Sequence, residues 1–92
     1  METRLIEPNG RQLASVANHL KDHLLRNWSV DQIQCGIRRV RVNEVGIISE
    51  VYVSQGLFMR LCHYHFGDRT LRAFNLCGYR VKSWRPNLNG TS

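Results

Sequence analysis

No apolar run in this chain approaches the roughly 20 residues that a helix needs to cross a bilayer, which excludes a membrane-spanning helix. The opening Met-Glu-Thr-Arg-Leu-Ile-Glu-Pro lacks the apolar stretch of a signal peptide, so a cytoplasmic location is expected. Cysteine is sparse. Cys35, Cys62 and Cys77 are odd in number, and their separations fit neither a disulfide framework nor a zinc ribbon. They read as reduced, partly buried thiols. Without a secretion signal, the Asn-x-Ser/Thr matches at Asn27 and Asn89 carry no weight. Internal repeats and low-complexity tracts are absent as well, and 92 residues suffice for one core but not two.

Acidic residues are also scarce, seven against thirteen lysines and arginines, and their distribution is uneven. Residues 1–31 carry four charges of each sign, whereas residues 32–92 carry nine cations and three acids. The net charge of +6 therefore belongs to the second part of the chain. Eleven of the cations are arginine, whose planar fork suits phosphates, carboxylates and aromatic faces better than lysine does.

Residues 1–10 read as an irregular lead-in closed by Pro8-Asn9-Gly10, with Asn9 placed to cap a helix. From Arg11 to Trp28 the apolar residues Leu13, Val16, Ala17, Leu20, Leu24 and Trp28 recur at three- and four-residue intervals, the mark of an amphipathic helix. Gln32 to Val42 then reads as a strand that changes phase. Ile33, Cys35 and Ile37 share one parity, and Val40 and Val42 the other. A bulge near Gly36–Arg39 returns all five to the core and leaves Arg39 and Arg41 outward, with Arg38 at the kink. Asn43 to Gly46 is a turn, and Ile47 to Ser54 a second strand with Ile47, Val51 and Val53 inward.

Leu57 to Phe66 is the densest apolar and aromatic run. Turn signals at Gln55-Gly56 and Gly67-Asp68 favour a third strand, with Leu57, Met59 and Leu61 inward and Phe58, Arg60, Tyr64 and Phe66 outward. A helix also fits, since Leu57, Phe58, Leu61, Cys62 and His65 fall on one helical face. Asp68 can cap a short helix over 69–77, and residues 79–84 alternate as a last strand before a loose tail at 86–92. The expected fold is a single α+β domain over 11–85. It comprises an N-terminal amphipathic helix, a three-stranded antiparallel meander, a short second helix and a short final strand, with the helices on one face of the sheet. The helix–three strands–helix order resembles that of double-stranded-RNA-binding domains and of several small toxin and inhibitor folds. The lysine-rich start of the second helix that marks the RNA-binding domains is missing, because Arg69-Thr70-Leu71-Arg72 offers two cations, so no family follows.

No catalytic set stands out. In a strand Cys62 and His63 point to opposite faces, which separates a thiolate–imidazole pair and breaks a Cys62–His63–His65 zinc set. His19 and His23, four apart on the first helix, lack a third ligand. No metal and no cofactor is expected. The chain reads as non-enzymatic, with a nuclease or toxin using His63 or His65 as general base the lesser alternative. The positive signal is aromatic and basic residues interleaved on extended segments: Phe58, Arg60 and Tyr64 bordered by Arg38, Arg39, Arg41, Arg80 and Lys82. Rings offer stacking platforms and arginines hold phosphates. The expected function is a small basic nucleic-acid-binding regulator of phage or mobile-element type. The alternative is a protein-binding inhibitor or adaptor, meeting an acidic surface through the same aromatic–arginine face, since Tyr, Trp and Arg are enriched at interface hot spots.

Overall fold

The computed structural model describes residues 2–66, 73–76 and 78–85. The fold is α+β, with three helices and a five-stranded mixed sheet among the described residues. The elements run β1 (Thr3–Ile6), α1 (Gly10–His23), α2 (Val30–Gly36), β2 (Ile37–Asn43), β3 (Ile48–Val53), α3 (Gln55–Phe66), β4 (Ala73–Leu76) and β5 (Tyr79–Ser83). In the sheet they lie in the order β1-β2-β3-β5-β4. All neighbours are antiparallel except β3 and β5, which run parallel.

The first helix begins where its sequence signals put it. The Asn9 side chain accepts from the backbone N–H of Gln12 at 2.8 Å, and the Gln12 side chain accepts from the N–H of Asn9 at 2.9 Å. This reciprocal box satisfies two of the otherwise unpaired donors of the first turn. Val16, Ala17 and Leu20 are buried, while Leu13 and Leu24 are partly buried against the same core. The helix ends at His23, five residues before the expected Trp28. Lys21 Nζ reaches forward to the carbonyls of Arg26 and Trp28, and Leu25 folds under the turn at 1% exposure.

Two stretches expected as strand are helical. The first is the start of the Gln32–Val42 segment. Ser29 accepts from Gln32 N–H and Gln32 returns the bond to Ser29 N–H, a second capping box that opens α2. Ile33 faces the core and Cys35 lies exposed, so the cysteine does not join the inward row. The second is Leu57 to Phe66, which is α3. Ser54 Oγ accepts from Leu57 N–H at 3.2 Å to cap it, and Leu57, Phe58, Leu61 and Cys62 are buried while Met59, Arg60, His63 and Tyr64 are exposed. That four-residue face is the helical one, and no meander of three successive strands forms.

Residues 3–6, expected to be irregular, pair with β2 from Thr3↔Asn43 to Ile6↔Val40. The expected helix over 69–77 is strand in its described part, Ala73–Leu76, which pairs with β5. Its proposed cap Asp68, Cys77 and the tail at 86–92 lie outside the described residues. Gly78 sits in the β4–β5 turn at φ 83°, a left-handed conformation that glycine adopts without a Cβ penalty.

The expected phase change in β2 is present as a register shift between Ile37 and Arg39. Ile37 pairs with Val53 and Arg39 with Tyr52, so Arg38 is the extra residue. A compensating shift follows on β3, where Arg41 pairs with Glu50 and Val42 with Ile48, leaving Ser49 extra. It flips the start of β3, so Ile48 turns toward the core and Ile47 points out at 63% exposure. The inward set Val40, Val42, Val51, Val53, Phe74, Leu76, Tyr79 and Val81 joins the buried helix residues in one cluster.

Leu20 is fully buried in that cluster. Leu20→Ala should cost about 2–5 kcal/mol in chemical denaturation, as cavity-forming truncations do. Gly36 gives a complementary test. A Cβ there would stand 2.5 Å from Leu57 Cδ2 and 3.1 Å from its Cβ, so the whole side chain must move. Gly36→Ala should lower stability by about 1–3 kcal/mol through overpacking between α2 and α3, despite alanine's better helix propensity.

Candidate functional site

Strand alternation sends one set of side chains into the core and the other onto the opposite face of the sheet. With Val40, Val42, Val51, Val53 and Val81 inward, the outward set is Arg39 and Arg41 on β2, Glu50 and Tyr52 on β3, and Arg80 and Lys82 on β5. The registers Arg41↔Glu50↔Arg80 and Arg39↔Tyr52↔Lys82 align these six in two rows across the three central strands. Trp84 extends the face just beyond β5, its backbone N–H donating to the carbonyl of Val53 at 2.7 Å.

The upper row is an ion network. Arg41 Nε donates to Glu50 Oε1 at 2.7 Å, Tyr52 O–H donates to the same oxygen at 2.9 Å, and Lys82 Nζ lies 3.9 Å from Oε2. The second row is aromatic and cationic. The Arg39 guanidinium lies 4.9 Å from the Trp84 ring centroid, and Lys82 Nζ lies 5.4 Å from that of Tyr52. The Tyr52 and Trp84 rings meet edge to face, 5.8 Å apart at 86°. Arg39 also stands 3.4 Å from Glu7, which is largely exposed, so that pair is held weakly. Among the described residues no carboxylate lies within ion-pair reach of Arg80. The face therefore carries four cations against Glu50 and Glu7, with two aromatic rings among them.

The remaining sequence-derived candidates fall elsewhere. Arg38 is exposed at the bulge, its guanidinium donating to the carbonyl of Cys35. Phe58 is 4% exposed and packs against Phe74 with ring centroids 5.6 Å apart, so it is a core residue. Arg60 and Tyr64 lie on the outer side of α3 with Met59 and His63, and Arg60 lines a groove of about 300 Å³ with Gly56, Met59 and His63. The expectation that Phe58, Arg60 and Tyr64 lie beside Arg39 and Arg41 is thus corrected. It required a strand at 57–66, and a helix there buries Phe58 and turns the other two away from the sheet's open face. Tyr52 and Trp84 supply the rings on that face. Both were legible by parity, since Tyr52 lies between two inward valines and Trp84 follows Arg80 and Lys82 at intervals of two.

His19 Nδ1 lies 2.7 Å from Tyr79 Oη and His23 Nδ1 lies 2.9 Å from the carbonyl of His19. Among the described residues no three histidine, cysteine or acidic side chains gather as a metal site, and no helix is long and apolar enough to cross a membrane. Comparison with protein-family models, curated proteins and solved structures finds no match to this chain.

Burial pushes the Glu50 carboxyl upward, but hydrogen bonds from Arg41 and Tyr52 and the charges of Lys82 and Arg41 outweigh it and hold the group below its ordinary range. The hydrogen bond to Glu50 correspondingly raises Arg41 above its ordinary value. A carboxyl depressed in the folded state adds stability that is fully present above its unfolded value. That stability is lost as pH falls through the folded value. Wild type should therefore exceed Glu50→Gln in stability at neutral pH, and the gap should close as pH drops below the ordinary 4.5. Paired urea titrations across that range provide the check.

Proposed function

We propose that this chain is a small non-enzymatic regulator that binds nucleic acid through the open face of its sheet, in the cytoplasm. The observation that supports it best is the composition of that face: Arg39, Arg41, Arg80 and Lys82 lie beside Tyr52 and Trp84, and among the described residues Glu50 and Glu7 oppose them. Arginine and lysine supply sequence-independent phosphate contacts, and aromatic rings supply stacking platforms. Arg38, exposed at the adjoining bulge, adds a further cation. Arg60 and Tyr64 belong to a different surface and are left out of this one.

Glu50 has a particular place in this reading. Its carboxylate already occupies the space between Arg41 and Lys82 that a phosphate oxygen would take, and so competes with the ligand. Neutralising it should free two cations for phosphate.

Each phosphate contact contributes about 0.7–0.9 to the slope of log affinity against log salt. Replacing Arg39 and Arg41 together by glutamine should therefore flatten the slope by up to about 1.8. Glu50→Gln should act in the opposite sense, tightening binding at low salt and steepening the slope. Fluorescence-anisotropy titrations with a labelled oligonucleotide at several salt concentrations read both effects. Absence of binding by the wild type at about 50 mM salt would overturn the proposal. The same face would then be assigned to a protein partner with an acidic surface, for which a half-buried Trp–Tyr–Arg cluster is also suited.

A further inference from the structure

We infer that the ligand of the open face is a single strand, one of whose bases seats against the Tyr52–Trp84 ring pair while Arg39 and Lys82 swing to the neighbouring phosphates. This deepens the nucleic-acid reading and rests on it. A duplex keeps its bases stacked inside and offers a flat sheet only phosphate and sugar, contacts that need no aromatic ring. Unpaired strands expose base faces, and proteins that bind them do so by stacking. The open face holds the rings that such contact requires, with Tyr52 between Arg39 and Lys82 in register and Trp84 edge-on beside it at the end of β5.

The ring geometry also sets how many bases fit. Two parallel rings would suit two successive bases, but Tyr52 and Trp84 stand at 86°. They offer one face and one edge, which is room for a single base. Both rings start from anchored positions. Tyr52 O–H is held by Glu50, and the Trp84 backbone by Val53. In the free protein the ring faces are covered by Arg39 and Lys82. Such contacts at exposed sites are worth only about 2–5-fold in an equilibrium constant, against about 5–150-fold for a stacked base. The two contacts together amount to about 5–30-fold, so one stacked base and the phosphate contacts of the two released cations jointly carry the exchange.

The test uses full-length protein carrying Trp28→Phe, which leaves Trp84 as its one tryptophan. The probes are a mixed-sequence oligonucleotide and its duplex at about 50 mM salt. The single strand should quench Trp84 emission and bind at least about tenfold more tightly than the duplex. Trp84→Leu should weaken single-strand binding about 5–150-fold while duplex binding falls far less or not at all, and Trp84→Phe, which keeps a ring, should recover most of the loss. Thermal melts confirm that each variant is folded. Equal binding of strand and duplex without quenching overturns this inference and leaves the phosphate reading standing. Failure of both to bind overturns the two together.

Discussion

The constraint on which the rest depends is the phase of the two central strands. Burying a valine or isoleucine is worth about 1.5–3 kcal/mol, whereas an exposed ion pair is worth about 0–1 kcal/mol. The aliphatic rows therefore decide which way β2 and β3 face, and the charged residues take the side left over. Those rows are not in simple alternation: Ile37 and Val40 differ in parity, as do Ile48 and Val51. Arg38 on one strand and Ser49 on the other absorb the mismatch as extra residues. Because the bulges lie on opposite strands, the second cancels the first: pairing is offset by one residue between them and regained at Val42↔Ile48. Arg39, Arg41, Glu50 and Tyr52 sit between the two shifts, so the face they form is a product of both.

The elements legible in the sequence are those whose signals are local and agree. For α1 the apolar spacing and the Asn9–Gln12 box point the same way, and for β2 the parity change at Arg38 requires a bulge. Stretches with two compatible periods were not decided locally. Leu57 to Phe66 satisfies both a strand and a helix, and the choice falls to tertiary packing, where Leu57 fits against the bare Gly36 of α2 and Phe58 meets Phe74 on β4. Ser29 and Gln32 form a capping box three residues apart that outweighs the strand-like parity of Ile33, Cys35 and Ile37. β1 carried almost no signal, since only Ile6 among its residues is partly buried and its order comes from hydrogen bonding to β2. The insertion of β5 between β3 and β4 is a pairing remote in sequence, which no local window contains.

The fate of the candidate site follows from the same distinction. Arg39, Arg41, Arg80 and Lys82 were placed by parity within strands, and their outward position depends only on the valines beside them. Phe58, Arg60 and Tyr64 were placed by assuming a third strand. In a helix, residues two apart do not share a face, so that set dissolves into one core ring and two residues on the outer side of α3. The rings that do accompany the arginines lay in segments already read as strands. Tyr52 and Trp84 share the outward parity of the cations beside them, a weaker signal than the dense aromatic run at 57–66.

Glu50 brings stability and the proposed binding into opposition at one side chain. Arg41, Arg80 and Lys82 border it from the two neighbouring strands, and without its charge three cations would face one another across the middle of the sheet. Its depressed carboxyl reflects how strongly the folded state favours the ionised form. The same charge repels any phosphate that approaches, and it holds Tyr52 by the hydroxyl that keeps the ring in place. A face of cations alone would bind a polyanion more tightly but stand less firmly without one. A carboxylate set among them offsets their repulsion in the free protein and, in the proposed binding, would leave the ring pair rather than net charge to distinguish one nucleic acid from another.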